Sequence, residues 1–176
     1  MKIAFLDRDG VINKEVNYLY KIDDFVFTPN CIDGLRRLRE KNFEIVIITN
    51  QAGIAKGFYS VDDYNDLTFW YREKLLSYGV DILDILYCPH HPNGCVPEYS
   101  IECNCRKPKT GLLEEVAKKY QIDIKESILV GDKQSDLNAG ISFGISKVYL
   151  VETGHKIPKE NYKKYHVYSD LSCIPL

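Results

Sequence analysis

The chain has 176 residues, 45% of them hydrophobic, and its 23 basic and 25 acidic side chains leave a formal net charge of −2. That length makes one ordinary domain, here 1–176, with enough apolar residues for a sound core and no need of a second domain. The interspersed charge signs exclude the basic stripe of an extended nucleic-acid surface, and no apolar run reaches the length of a membrane span. Met1-Lys2 leads straight into apolar residues without a signal-peptide pattern, so a cytoplasmic location, a small metabolite as partner and a monomer are expected, with neither nucleic acid nor membrane.

Taken along the chain, strand and helix patterns alternate, as in a βαβ sheet. Ile3–Leu6 reads as a buried strand that stops at Asp7-Arg8-Asp9-Gly10. A polar, aromatic stretch from Asn13 to Thr28 follows. Next comes a helix from about Asn30, its expected N-cap, to Lys41, with Ile32, Leu35 and Leu38 on one face. Glu44–Thr49 is a second strand. Ser60 opens a helix to about Tyr78 in which Tyr64, Leu67, Tyr71, Leu75 and Tyr78 recur at helical spacing, an aromatic stripe expected to pack in the core. Further strands are predicted at 82–87, 127–130 and 147–151, with a short last one at 166–168 and helices near 111–120 and 134–143. The fold class is therefore α/β: a doubly wound, mainly parallel, Rossmann-like sheet.

Open α/β sheets place their ligand sites at the carboxyl ends of strands, and several of these ends carry polar chemistry. Two carboxylates as close as Asp7 and Asp9 repel each other, and burying them calls for a cation or for hydrogen-bond donors. Gly10 lets the backbone turn sharply beside them. The second strand ends in Thr49-Asn50-Gln51-Ala52-Gly53, whose hydroxyl and amides suit phosphate oxygens. The 127–130 strand ends in Gly131-Asp132-Lys133-Gln134-Ser135-Asp136, a second source of metal ligands. Arg106 and Lys107 precede Pro108 and a helix and supply fixed positive charge. Each residue alone could be an ordinary turn or capping residue; their joint order is harder to dismiss.

These strings, Asp7-x-Asp9-Gly10-Val11, Thr49, Lys107 before proline and Gly131-Asp132-x-x-x-Asp136, resemble in order the four motifs of the haloacid dehalogenase superfamily of phosphotransferases. The fuller strings Asp-Arg-Asp-Gly-Val-Ile-Asn, Thr-Asn-Gln-Ala-Gly-Ile-Ala, Cys-Pro-His-His-Pro and Cys-Arg-Lys-Pro resemble a narrower group. It comprises the D-glycero-D-manno-heptose 1,7-bisphosphate 7-phosphatases and the related histidinol-phosphate phosphatases. The likeness runs from Ile3 to about Gly154; Lys56 stands where arginine is expected and Thr110 where proline is usual. The resemblance implies Asp7 as nucleophile and Asp9 as acid and base. It implies Mg²⁺ on Asp7, Asp132 and the backbone carbonyl of Asp9, with Thr49 and Lys107 on the transferring phosphoryl group. Arg8, Glu15, Val16, Asn17, Tyr18, Asn50, Gln51, Ala52, Arg106 and Lys133 would contact the rest of the substrate, with Lys56 a further cation for a second phosphate. The implied substrate is a phosphorylated sugar, the 7-phosphate of the heptose bisphosphate in nucleotide-activated heptose biosynthesis, with histidinol phosphate as the alternative.

Cys88-Pro89-His90 and Cys103-Asn104-Cys105 form a second constellation bounding the 88–105 loop. Three soft sulfurs and one imidazole match a closed, structural tetrahedral zinc site. The alternatives are disulfides or scattered thiols, which a reducing compartment disfavours, and Cys95 inside the loop could compete as a ligand; the family pattern uses the flanking four. Neither gap between motifs has room for a separate cap domain, so an open site rimmed by 13–28, 53–59 and the zinc loop is expected. A phospho-receiver module would share the strand-end aspartates but lack the D-x-D pair and the zinc motif. A nucleic-acid 3′-phosphatase would share the first motif but call for a basic groove.

Overall fold

Six strands, β1 (Ile3–Leu6), β2 (Glu44–Asn50), β3 (Asp84–Cys88), β4 (Ile128–Gly131), β5 (Lys147–Val151) and β6 (His166–Tyr168), join in one sheet of order β3-β2-β1-β4-β5-β6. Every neighbouring pair is parallel. The structure, a computed structural model, describes residues 1–176. The chain winds outward from β1 to β3, then returns to the other side of β1 for β4. The carboxyl ends of β1 and β4 thus flank the switch in winding direction, where such sheets open a crevice.

Strand residues alternate between two cores, as the two-residue period demands. Ala4, Leu6, Ile45, Ile47, Ile128, Val130, Tyr149 and Val151 pack on one face against α1 (Cys31–Glu40) and α3 (Val61–Ser77). Ile3, Phe5, Val46, Ile48, Leu129, Val148 and Leu150 pack on the other against α4 (Gly111–Lys119) and α5 (Gln134–Phe143). A sheet covered on both faces explains why its strands read as continuous apolar runs. Between β2 and α3 lies α2 (Ala52–Ala55), and α6 (Asn161–Lys164) precedes β6; each is a single turn with too few residues to leave a periodic signal. No helix is long and apolar enough to cross a membrane.

The expected boundaries hold with three corrections. Asn30 does not cap α1 with its side chain: its backbone is left-handed at φ 54°, and Nδ2 donates instead to Asp170 Oδ2 at 2.8 Å. The distant carboxylate outcompetes the local cap, and asparagine tolerates this backbone conformation. The ladder of β3 begins at Asp84, so the strand ends at Cys88, opposite Asn50 of β2. Of the aromatic stripe, Tyr64, Leu67, Tyr71 and Leu75 are buried, but Tyr78 lies past the helix end and is exposed. Ser60 does start α3, in a capping box: Asp63 N donates to Ser60 Oγ at 3.1 Å and Ser60 N to Asp63 Oδ2 at 2.7 Å.

Leu35 of α1 is fully buried in the larger core. Leu35→Ala is expected to cost about 2–5 kcal/mol, measured as a lowered urea midpoint with an unchanged slope.

Candidate active site

Burial forces the ends of β1, β2 and β4 to balance their own charge. Asp7, Asp132 and Asp136 are each at least nine-tenths buried, and one oxygen from each falls within 4.8 Å of the others. Lys107, also buried, stands among them. Its ammonium donates to Asp7 Oδ1 at 2.8 Å and to the Ile48 carbonyl at 2.8 Å, and it pairs with Asp136 Oδ1 at 2.7 Å. All three N–H bonds are thereby used. Burial alone would lower the lysine pKa, but Asp136 and Asp7 beside it drive it above its ordinary value. Asp7 moves the other way: desolvation lifts it to about 6, against the pull of Lys107. Its Oδ1 also accepts from the Arg8 backbone N–H at 2.8 Å. Both bonds fall on one oxygen, which leaves Oδ2 for other partners.

Asp9 sits in a separate harness. Arg8 Nη2 donates to both its oxygens at 2.9 Å, Asn13 Nδ2 to Oδ1 at 2.9 Å and Gln51 Nε2 to Oδ2 at 3.0 Å. Burial raises the Asp9 pKa, yet Arg8 and the amide donors outweigh it and hold the carboxyl below its ordinary value. Gln51 also donates to Thr49 Oγ1 at 2.7 Å and accepts from the Tyr59 hydroxyl. Asn50 clamps the Lys107 backbone from both ends: Lys107 N donates to Oδ1 and Nδ2 donates to the Lys107 carbonyl, each at 3.0 Å.

Above these groups opens a cavity of about 470 Å³ lined mostly by polar residues. The structure brings to it Asp7, Asp9, Thr49 and Lys107 of the expected machinery, and Glu15, Asn17, Tyr18, Asn50, Gln51, Ala52, Lys56, Arg106 and Lys133 of the expected contacts. Two expected substrate contacts, Arg8 and Val16, and the expected metal ligand Asp132 lie outside its walls. Arg8 is only 1% exposed and faces α3, its guanidinium carbon 5.9 Å from the Tyr64 ring, so it braces Asp9 from below and does not reach the cavity. Val16 points outward, 48% exposed, and lies outside the cavity wall. Asn50 and Gln51 reach the cavity, but their amides are largely engaged with Lys107, Asp9 and Thr49. Of the other lining residues, Tyr59 closes the 53–59 segment expected at the rim and Asp136 belongs to the Gly131-Asp132-x-x-x-Asp136 string, whereas Pro108, Ser135 and His155 are assigned no role by the sequence. For Asp136 the DxxxD spacing was the available signal; His155 had none. His91 lines the rim, as its place in the loop suggested.

Asp132 fits a divalent cation. Its Oδ2 accepts from His155 N at 2.8 Å and His155 Nδ1 at 2.6 Å, while Oδ1 is buried without a partner. Burial and the nearby Asp7 raise its pKa, tempered by the two His155 bonds. An orphaned carboxylate oxygen amid other carboxylates is the donor set hard cations take. Gly10 makes this packing possible. Its φ of +89° suits glycine, and a Cβ there would stand 2.3 Å from Asp132 Oδ2.

The second constellation also assembles. Cys88, His90, Cys103 and Cys105 present ligand atoms within 4.8 Å of one another, with Cys105 Sγ 3.0 Å from Cys88 Sγ, 3.4 Å from Cys103 Sγ and 3.3 Å from His90 Nδ1. All six cysteines are free. The neighbouring Cys88 thiol, with His90 and Cys103, pulls the Cys105 pKa down to about 5, and the hydrogen bond with Cys105 pushes that of Cys88 up. Converging soft donors of this kind fit a tetrahedral metal. Cys95 stands apart, donating to the Lys56 carbonyl at 3.1 Å.

Comparison with known proteins gives consistent matches. The polynucleotide kinase 3 phosphatase family model matches residues 2–172. A Photorhabdus laumondii protein named D-glycero-alpha-D-manno-heptose-1,7-bisphosphate 7-phosphatase is 61% identical over 163 residues, covering 92% of this chain and 89% of its own. A Haemophilus influenzae protein named as the beta-heptose counterpart is 44% identical over 159 residues, covering 90% and 86%. The crystal structure of D,D-heptose 1.7-bisphosphate phosphatase from B. bronchiseptica, complexed with magnesium and phosphate, has a TM-score of 0.81 at 29% identity, covering 98% of this chain and 94% of that one.

Lys107→Met would leave Asp7 and Asp136 buried without their cation. Removing one partner of a buried ion pair costs about 3–5 kcal/mol, so the variant is expected to be severely destabilised in chemical denaturation. Lys107→Met/Asp136→Asn should recover part of that loss.

Proposed function

This chain belongs to the D-glycero-D-manno-heptose-1,7-bisphosphate 7-phosphatase family of the haloacid dehalogenase superfamily and is a phosphoric monoester hydrolase; from that membership we propose that it removes the 7-phosphate of the heptose bisphosphate through an aspartyl-phosphate on Asp7. The observation that carries the mechanism is the Asp7 carboxylate itself. Lys107 and the Arg8 N–H fix Oδ1, which orients Oδ2 for in-line attack in a cavity edged by cations.

In the first half-reaction Asp7 Oδ2 forms a bond to phosphorus as the ester P–O bond breaks, and Asp9 gives its proton to the departing sugar alkoxide. In the second, water attacks phosphorus, Asp9 takes a proton from it, and the bond to Asp7 breaks. Thr49 would hold an equatorial oxygen directly, and Lys107 would reach one by giving up a present acceptor for the phosphate. Asp7, the carbonyl of Asp9 and the free Oδ1 of Asp132 would hold Mg²⁺, which would offset the charge of the phosphoryl group. The sugar and its second phosphate would meet Glu15, Asn17 and Tyr18 on one side and Lys56, Arg106 and Lys133 around the rim. Identity of 61% to an alpha-heptose enzyme, against 44% to a beta-heptose one, favours the alpha anomer. The family model that names polynucleotide phosphatases matches residues 2–172, and the interspersed charges, net −2, argue against an extended phosphate backbone as the substrate.

Zinc is the metal we assign to Cys88, His90, Cys103 and Cys105. Four protein ligands leave it no open position, so its contribution is geometric. Cys105 adjoins Arg106 and Lys107, and ordering the loop orders those cations.

Asp7→Asn is expected to abolish turnover while keeping the fold. Asp9→Asn should accumulate a phosphoenzyme with an aryl phosphate whose leaving group needs no acid, detected by mass spectrometry after rapid quench; an unlabelled Asp7 would overturn the covalent route. In a substrate comparison, kcat/KM should be highest for the alpha-heptose bisphosphate. A preference of more than about tenfold, or 1.4 kcal/mol, for histidinol phosphate would displace that choice. Cys103→Ser should lose about one equivalent of zinc and lower the rate by up to about 10²-fold through misplaced cations, whereas Asp7→Asn should retain its zinc; full activity in zinc-free Cys103→Ser would break the link between loop and site.

A further inference from the structure

The turn after β5 closes over Asp132 and decides which of its oxygens is available. Thr153 Oγ1 donates to the Gly10 carbonyl at 2.6 Å, tying this turn to the one that follows β1. Gly154 lies so close that a Cβ there would stand 2.1 Å from Asp132 Oδ2. His155 then delivers two donors, backbone N and ring Nδ1, to that same oxygen. The asymmetry is complete: Oδ2 takes both bonds, and Oδ1 is buried with none.

We propose that His155 is a positioning residue for the divalent cation, pinning Asp132 Oδ2 through Nδ1–H so that Oδ1 alone is presented to the metal. This rests on the reading of Asp132 as a ligand and adds to it a residue that acts on the metal through the Asp132 carboxylate. A carboxylate held by one bond can rotate between monodentate and bidentate binding; one held by two on the same oxygen presents a fixed lone pair. Outer donors of this kind typically change metal affinity by about 10–100-fold. His155 Nδ1 also lies 3.9 Å from Glu15 Oε2, so the ring sits between the ligand and the loop after β1. Its side chain is 38% exposed, and truncating it opens no core cavity.

The test is Mn²⁺ binding to the metal-free protein, followed by electron paramagnetic resonance of the free ion, without substrate or turnover. His155→Ala is expected to weaken Mn²⁺ by about 10–100-fold with no loss of thermal stability. His155→Asn, whose Nδ2 reaches the place of histidine Nδ1, should recover affinity to within about threefold of the wild type. Wild-type affinity in His155→Ala would overturn the proposal, as would an equal loss in both variants. Asp132→Ala separates the two levels: if it leaves Mn²⁺ binding unchanged, the metal reading itself falls, whereas sensitivity to Asp132→Ala with indifference to His155→Ala removes only the role of His155.

Discussion

The constraint on which the rest of this structure depends is an excess of negative charge at one edge of the sheet. Asp7, Asp9, Asp132 and Asp136 converge where β1 and β4 end, and only Lys107 and Arg8 approach them as buried cations. Carboxylates so placed cannot all stay ionised without compensation. The protein divides the task. Lys107 serves Asp7 and Asp136, Arg8 serves Asp9, and Asp132 is left with hydrogen bonds to one oxygen only. The raised pKa of Asp7 and Asp132 against the lowered one of Asp9 is the electrostatic expression of that division. A site with one oxygen's worth of uncompensated charge is a site built for a cation.

Holding one lysine among three acids requires that its backbone be fixed as well as its ammonium. Asn50 does this through two bonds to the Lys107 peptide groups. The strand that carries Asn50 is in turn set by its neighbour: Asn50 pairs with Cys88, and Gln51 N donates to the Cys88 carbonyl at 2.8 Å. Cys88 is also a member of the sulfur and imidazole cluster whose last member, Cys105, lies two residues before Lys107. The cluster therefore grips the lysine segment from two directions, once along the chain and once across the sheet. That placement would give a metal bound at the cluster a physical means of setting the position of the central cation.

Most of this was legible in the sequence because periodicity and spacing report directly on burial. The parity of Ile3 to Leu6, Glu44 to Ile48 and Ile128 to Val130 foretold strands covered on both faces, and the polar strings at their ends foretold the crevice. Direction was not legible. Arg8 reads as a cation beside two acids and could face the cavity or the core; only the packing of α3, with Tyr64 beneath it, sends it inward. Asn30 looked like a cap because the sequence does not show that Asp170, 140 residues away, competes for its amide. His155 carries no motif at all, and its role follows from the turn that lays it on Asp132. What was missed are contacts between segments distant in sequence, which local pattern does not encode.

The harness around Asp9 bears on how one carboxyl can serve as acid and then as base. Arg8, Asn13 and Gln51 favour its ionised form, the form that would take a proton from water in the second half-reaction we propose. Donating a proton in the first half-reaction requires the opposite state. In the proposed route a substrate phosphate dianion beside Asp9 would raise its pKa by like-charge repulsion, and transfer of the phosphoryl group, which keeps its two charges, would remove the carboxylate charge of Asp7 from the neighbourhood. The donors are fixed while the charge facing them changes with the reaction coordinate. On the proposed route, a carboxyl poised by constant donors against a varying neighbour would change protonation state in step with the chemistry, without any movement of the residues that hold it.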